Sequence, residues 1–227
     1  MITLWELKGR EDRRYSVFSW RARLALRHKG LEFESQPVLL SDKKAIEFSG
    51  GKTVPVIRDG ERVVRDSWKI AEHLEARYAE RPTLFGGPIG QGLALAWNAW
   101  VDRVVVPAMM PVIVADVHER VDPGDDAFFR KQFEGYLKMT LEESRAQRDK
   151  ALERLQRALE PVRSTLKRQP FVCGQAPAYA DYVLFSPFQW ARVMCPLDPL
   201  GADDPLAAWR ERVLDLYGGF ARKVKTA

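Results

Sequence analysis

The spacing of apolar residues changes character near residue 80. Before it, short β-branched runs interleave with helical faces; after it, helical spacing alone remains. Ile2 to Leu7 alternates weakly and predicts a first strand. Phe18, Ala22, Ala25 and Leu26 recur on one helix face, and Gly30 supplies the stop. Phe33 to Leu39 predicts a second strand. Strand, helix, strand in so short a stretch is a βαβ unit with a parallel pair. A short helix is expected from Asp42 to Phe48, broken by Ser49-Gly50-Gly51. Val54 to Ile57 and Val63-Val64 flank Asp59-Gly60, which predicts a hairpin turning on that pair. Asp66-Ser67 then opens a helix with Ile70, Ala71, Leu74 and Tyr78 on one face.

Residues 81–92 hold two prolines, four glycines and few charges, and predict a linker. The expected organisation is a domain over 1–80, a linker over 81–92 and an all-helical domain over 93–227. Leu93 to Val117 is apolar and Trp-rich, with Pro107 and Pro111 placed to bend or interrupt it. Asp122 to Asp126 predicts a turn and a helix start. Leu152, Leu155, Leu159, Val162 and Leu166 mark an amphipathic helix, and Glu153–Arg157 adds an i, i+4 pair on its outer face. From Ala178 to Cys195 the chain is dense in aromatics, which predicts core; one edge lining an apolar pocket is the functional alternative.

Composition narrows the class. An apolar content of 46% and a charged content of 30% fit a soluble globular protein. No apolar run reaches the length of a membrane span, and the start lacks the basic and apolar regions of a secretory leader. Cys173 and Cys195 have no metal or redox spacing, so a reducing cytoplasm is expected. The net charge of +5 is interleaved with Glu and Asp, which argues against a nucleic-acid partner and suits an acidic small ligand.

The stretch from Lys52 to Ser67 carries the chemistry. Val54-Pro55 stands at a strand start, where proline is tolerated and a cis bond is possible. Such a bond would turn the Val54 backbone outward to pair with an extended peptide. Asp66-Ser67 begins a helix, whose free N–H groups favour an anion. A backbone clamp and an anion seat side by side resemble the glutathione-binding half of a glutathione S-transferase. That resemblance implies a thioredoxin-like N-terminal domain of order βαβ-α-ββα, an α/β plus all-α chain, a homodimer, and glutathione as co-substrate without a metal. Ala178-Tyr179-Ala180-Asp181 resembles the helix-capping motif of the family's second domain, with Ala178 a poor cap.

Within Tyr15-Ser16-Val17-Phe18-Ser19-Trp20-Arg21, the Ser-x-x-x-Trp-Arg pattern resembles serine-type members, and Ser16 aligns with their catalytic serine. A thiol attacks as thiolate, which a hydroxyl donor and a helix start both favour. Ser16 also reads as a plain helix cap; Ser19 is the alternative hydroxyl and Tyr15 the third. The resemblance implies glutathione contacts at Lys52, Val54, Pro55, Asp66 and Ser67. Phe18, Trp100, Met109, Met110 and Trp190 are the candidates for an apolar substrate pocket. His28, His73 and His118 are scattered and predict no metal site. Asp66 to Glu75, Arg81 to Gly87, and Ala180-Asp181-Tyr182 followed by Phe188 to Arg192 look most like bacterial β-etherases and fungal etherase-like transferases. Three activities stay open: thiolate transfer with possible aryl-ether cleavage, isomerisation of the maleylacetoacetate type, and non-catalytic binding of aromatic ligands.

Overall fold

The computed structural model describes every residue from Met1 to Ala227. A four-stranded sheet of order β2-β1-β3-β4 builds the N-terminal part. β1 (Ile2–Leu7) pairs in parallel with β2 (Phe33–Val38), Ile2 facing Phe33, and α1 (Val17–His28) makes the crossover. β3 (Val56–Asp59) runs antiparallel to both β1 and β4 (Arg62–Arg65). β1 buries Ile2, Leu4 and Glu6 on one face. Glu6 is an inward charge, compensated by Arg23 and the hydroxyl of Ser35.

Asp59 pairs with Arg62, so the hairpin turns on Gly60-Glu61, one residue later than expected. Gly60 takes φ +60° at the first central position, a conformation that costs glycine nothing. The short helix expected from Asp42 is a 3-10 segment, Lys44–Ser49, ended by Gly50 at φ +68°. α2 (Ser67–Arg77) buries Ile70, Ala71 and Leu74, with Tyr78 just beyond its end.

Eight helices follow: α3 (Pro88–Trp100), α4 (Val106–Arg120), α5 (Asp126–Leu137), α6 (Leu141–Ala146), α7 (Arg148–Ala158), α8 (Glu160–Leu166), α9 (Tyr179–Met194) and α10 (Pro205–Gly219). α3 begins inside the stretch read as linker, with Pro88 in its first turn, where a missing N–H costs nothing. Val101–Val105 has π-helical spacing between α3 and α4. The next residues include Pro107 and Pro111, which cannot donate to the preceding turn. The single helix predicted over 152–166 is two, because Pro161 has no N–H for the Arg157 carbonyl. Its apolar face survives the break: Leu155, Leu159, Val162 and Leu166 are buried. Glu153 and Arg157 do pair, at 3.8 Å on the surface, where such a pair contributes little.

α9 is the hub, packed against α1, α4, α3 and α10. Its cap is supplied from within. Ala178 has no acceptor, and the buried carboxylate of Asp181 accepts from the N–H groups of Ala178, Val172 and Cys173 and from Trp209 Nε1. Burial pushes the Asp181 pKa up, and these donors pull against it. One core cluster runs from Ile2 and Leu4 on the sheet through α9 to Trp209 on α10, so both parts share an interior. No helix is long and apolar enough to cross a membrane.

Candidate active site

The sheet, α1 and α2 meet α4, α5 and α9 around a cavity of about 730 Å³. Ser16, Phe18, Lys52, Val54, Pro55, Asp66, Ser67, Met110 and Trp190 all line it.

Ser16 is the N-cap of α1, in extended conformation, and its Oγ accepts from the Ser19 N–H at 3.2 Å. That bond uses a lone pair and leaves the hydroxyl proton uncommitted at the cavity edge. The cap and the candidate chemical group are therefore the same atom. Ser19 lies behind it, 1% exposed, with no partner for its own hydroxyl and no place in the cavity wall. Tyr15 does border the cavity, but its hydroxyl is buried and unpartnered. Burial, then the charges of Asp125 and Asp122, push its pKa well above the ordinary tyrosine value.

The Val54–Pro55 bond is cis. The N–H and C=O of Val54 are not engaged by any backbone group of the chain. The Pro55 carbonyl accepts from the Asp66 N–H at 3.3 Å, which joins the strand start to the helix start. Asp66 caps α2: its Oδ1 accepts from Trp68 and Lys69 at 2.9 and 3.1 Å. It does so at φ 73°, a left-handed value uncommon outside glycine and often found where a ligand is held. Its second oxygen is left for another partner. Ser67 is buried beside it, and its carbonyl accepts from the Tyr179 hydroxyl. Lys52 is exposed on the rim and forms no ion pair.

Two residues expected in the pocket are elsewhere. Met109 is fully buried in the core. One step along a helix rotates a side chain by more than a quarter turn, so α4 presents Met110 to the cavity and Met109 to its neighbours. Trp100 sits on α3, its ring tilted at 33° against Trp97 with centroids 4.8 Å apart. Phe18 stays 40% exposed, its ring covered by the Arg21 guanidinium at 4.9 Å. Trp20 and Arg21 themselves are fully buried: Trp20 Nε1 donates to the Arg14 carbonyl, and Arg21 binds Asp102, Asn98 and Ser186.

Other lining residues were not anticipated: Leu39, Leu40, Asp42 and Lys43 after β2, and Gln132, Phe133 and Tyr136 on α5. The last group does carry a signal, since Gln132 and Tyr136 are four apart on one helix face. Burial lowers the Lys43 pKa, against the charge of Asp125. The three histidines lie outside the cavity wall, and no group of three or more His, Cys, Asp or Glu side chains is placed to hold a metal.

Known proteins match both halves of the chain. Residues 15–77 match the glutathione S-transferase N-terminal domain, and residues 92–215 match the glutathione S-transferase C-terminal domain. A probable glutathione S-transferase of Glycine max is 27% identical over 122 residues, 52% of this chain and 54% of that protein. Glutathione S-transferase Z1 of Arabidopsis thaliana is 42% identical over 71 residues, 28% of this chain and 31% of that protein. The chain thus spans only about a third to a half of the curated relatives it matches first. Solved structures match over nearly the whole length. The transferase CsGST63524 of Ceriporiopsis subvermispora, in complex with glutathione, superposes with a TM-score of 0.78 at 22% identity, covering 98% of this chain and 94% of that one. Glutathione transferase GSTFuA3 of Phanerochaete chrysosporium gives 0.77 at 25% identity, covering 96% and 92%. The fold expected from the strand and helix order, a thioredoxin-like domain followed by a helical one, is the fold these structures share. With the N-terminal family domain matched by the first part of the chain and the C-terminal one by most of the rest, this chain belongs to the glutathione S-transferase family.

Proposed function

We propose that this protein binds glutathione along Val54 and Pro55, seats its γ-glutamyl end at Asp66 and Ser67, and transfers its thiolate to an apolar or aromatic electrophile. The observation that carries this is the Ser16 hydroxyl. It accepts from Ser19 and keeps its proton free beside the cavity. Donated to a bound thiol, that proton favours the thiolate, and the start of α1 favours the same charge. Ser16 acts neither as nucleophile nor as base; it only donates a hydrogen bond to the sulfur, and the thiol proton leaves to solvent. The sulfur lone pair forms the new C–S bond, and the leaving group departs with the electrons of the bond that breaks. Lys52 on the rim suits the glycyl carboxylate. Phe18, Met110 and Trp190 form the apolar side, which brings ring and thiolate together. The glutathione held by the Ceriporiopsis subvermispora neighbour supports the ligand. No metal enters these steps.

In this reading residues 1–80 hold glutathione, 81–92 connect, and 93–227 hold the second substrate, in a cytoplasmic homodimer. The dimer is supported by α3, where Ile89, Leu93, Ala96 and Trp100 recur on one face, with Ile89 83% and Leu93 69% exposed. An apolar strip of this kind calls for a partner surface. We further place the protein in the serine-type, etherase-like group, with an aryloxy group expelled as a phenol; the wording of Asp66 to Glu75 and Arg81 to Gly87 is what supports this choice. Isomerisation of the maleylacetoacetate type is the second reading, favoured by the Ser16 and Trp20-Arg21 pattern and by a likeness to the zeta-class transferase of Euphorbia esula, 40% identical over 79 residues.

The test is purified protein with glutathione against an aryl halide, a β-aryl ether of a fluorescent phenol, and maleylacetoacetate. Thioether formation supports transfer, and released phenol supports the ether-cleaving form. Isomerisation alone moves the assignment to the second reading. No thioether, no phenol and no isomer formed from any of the three, by protein shown calorimetrically to bind glutathione, removes catalysis.

A further inference from the structure

The cavity takes two of its walls from distant parts of the chain. One is the loop after β2, with Leu39, Leu40 and Lys43; the other is α5, with Gln132, Phe133 and Tyr136. Asp125, the residue before α5, joins them. It is 0% exposed. Its carboxylate accepts from the Leu40 N–H at 2.8 Å, the Ser41 N–H at 2.8 Å and the Ser41 hydroxyl at 2.6 Å. A buried carboxylate is costly unless hydrogen-bonded, and here both oxygens are engaged. Gly124 brings the turn close to the loop: a Cβ there would stand 3.2 Å from Leu39 Cδ1. Lys43 adds its ammonium 5.2 Å from the centre of the Phe128 ring. The loop is thus fastened to the start of α5 from Leu39 to Lys43.

The far end of the same loop has its own anchor. Arg65 on β4 donates to the Gly50 carbonyl at 2.6 Å, and Ile46 packs with Val38 and Val56. Lys52 and Val54 come after this second anchor. Loosening the loop at Asp125 therefore frees the wall facing α5 and leaves the Val54 edge in place.

Resting on the transferase reading above, we propose that Asp125 is a positioning residue for the apolar second substrate. It fixes the width of the apolar half of the cavity by holding Leu39 and Leu40 against α5. It touches no substrate atom and acts through those two side chains and Phe133.

The experiment compares full-length Asp125→Ala, Asp125→Asn and Ser41→Ala with the parent protein. Glutathione affinity is read by calorimetry, and anilinonaphthalene sulfonate serves as the apolar aryl probe, titrated by fluorescence at saturating glutathione. Asp125→Ala weakens the probe about tenfold and keeps the glutathione Kd within about twofold. The KM for an aryl halide rises with the probe Kd, and the Leu40 and Ser41 amides exchange faster. Asp125→Asn, which keeps one acceptor, falls between the parent and Asp125→Ala. Ser41→Ala shows the same pattern in smaller measure, and it carries the comparison if Asp125→Ala does not fold. Equal weakening of both ligands overturns the proposal, as does unchanged probe affinity once those amides are exposed. The probe needs no turnover, so a parent protein that conjugates nothing removes the transferase reading while this test still decides.

Discussion

The hydroxyl of Tyr179, the first residue of α9, donates to the carbonyl of Ser67, the first residue of α2, across 3.0 Å. The two are 112 residues apart in the chain. Tyr179 is fully buried, with its ring edge-on to Trp68 and Phe85 at 5.7 and 5.5 Å. Burial holds its pKa well above the ordinary tyrosine value, so it remains a donor at working pH. The helical part of the protein thus steadies the turn proposed to seat the γ-glutamyl end of glutathione.

Tyr179→Phe keeps the ring and removes that donor. The Ser67 carbonyl keeps its intrahelical bond and loses this second donor, and stability falls by about 1 kcal/mol, read from the urea midpoint. Glutathione affinity falls as well, because the Asp66-Ser67 turn loosens. A variant with the parent's midpoint and affinity would show that the contact does not steady the site.

Ser16→Ala removes two functions at once. Loss of the α1 cap lowers stability by about 1 kcal/mol. Loss of the free hydroxyl proton moves the thiolate absorbance of bound glutathione to higher pH. Ser19→Ala deletes a buried hydroxyl that has no partner, so its stability stays close to the parent's. A thiolate shift in Ser19→Ala with none in Ser16→Ala would transfer the chemical role to Ser19.

At Asp66 the cap and the charge are separable. Asn keeps a side-chain oxygen that can accept from Trp68 and Lys69, whereas Ala has none. Calorimetry should show both variants weaker for glutathione by about 1–3 kcal/mol. Only Asp66→Ala should also lower the melting temperature. Full affinity in both variants would place the γ-glutamyl group elsewhere.

His28 makes stability depend on pH. Its Nε2 donates to the Thr83 carbonyl at 2.9 Å, so Nδ1 is the acceptor for the Tyr182 hydroxyl at 2.6 Å. Burial lowers its pKa below 6.5, helped by the Lys29 charge and opposed by the Thr83 carbonyl and Glu75. The unfolded chain therefore takes up the proton first as pH falls. The His28 contribution is complete above about pH 6.5 and is lost as pH drops through that value toward the folded pKa. Urea midpoints measured across this range should fall less steeply in His28→Gln; parallel curves would remove His28 as the cause.

Leu93→Arg tests the apolar face of α3. Light scattering at micromolar concentration should give a dimer for the parent and a monomer for the variant, because a buried unpaired charge opposes association. A monomeric parent removes the dimer.

The sequence by itself determined the elements of the first 80 residues and their order. It marked β1, α1, β2, the hairpin and α2, and it singled out Ser16, Val54-Pro55 and Asp66-Ser67. Those signals are local: a proline at a strand start, a serine or aspartate at a helix start, a glycine where φ is positive. Even so the hairpin turned on Gly60-Glu61, one residue late, because strand register is settled by pairing across the sheet. Tertiary structure decided the rest. Periodicity assigns a residue to a helix but not to one of two crowded faces, so it could not separate Met110 from Met109, or Trp190 in the cavity wall from Trp100 outside it. Nor could it join Asp125 to Leu40, or Tyr179 to Ser67. Each of those bonds links residues that meet only after α4, α5 and α9 have packed against the sheet, and no local preference of the chain encodes that meeting.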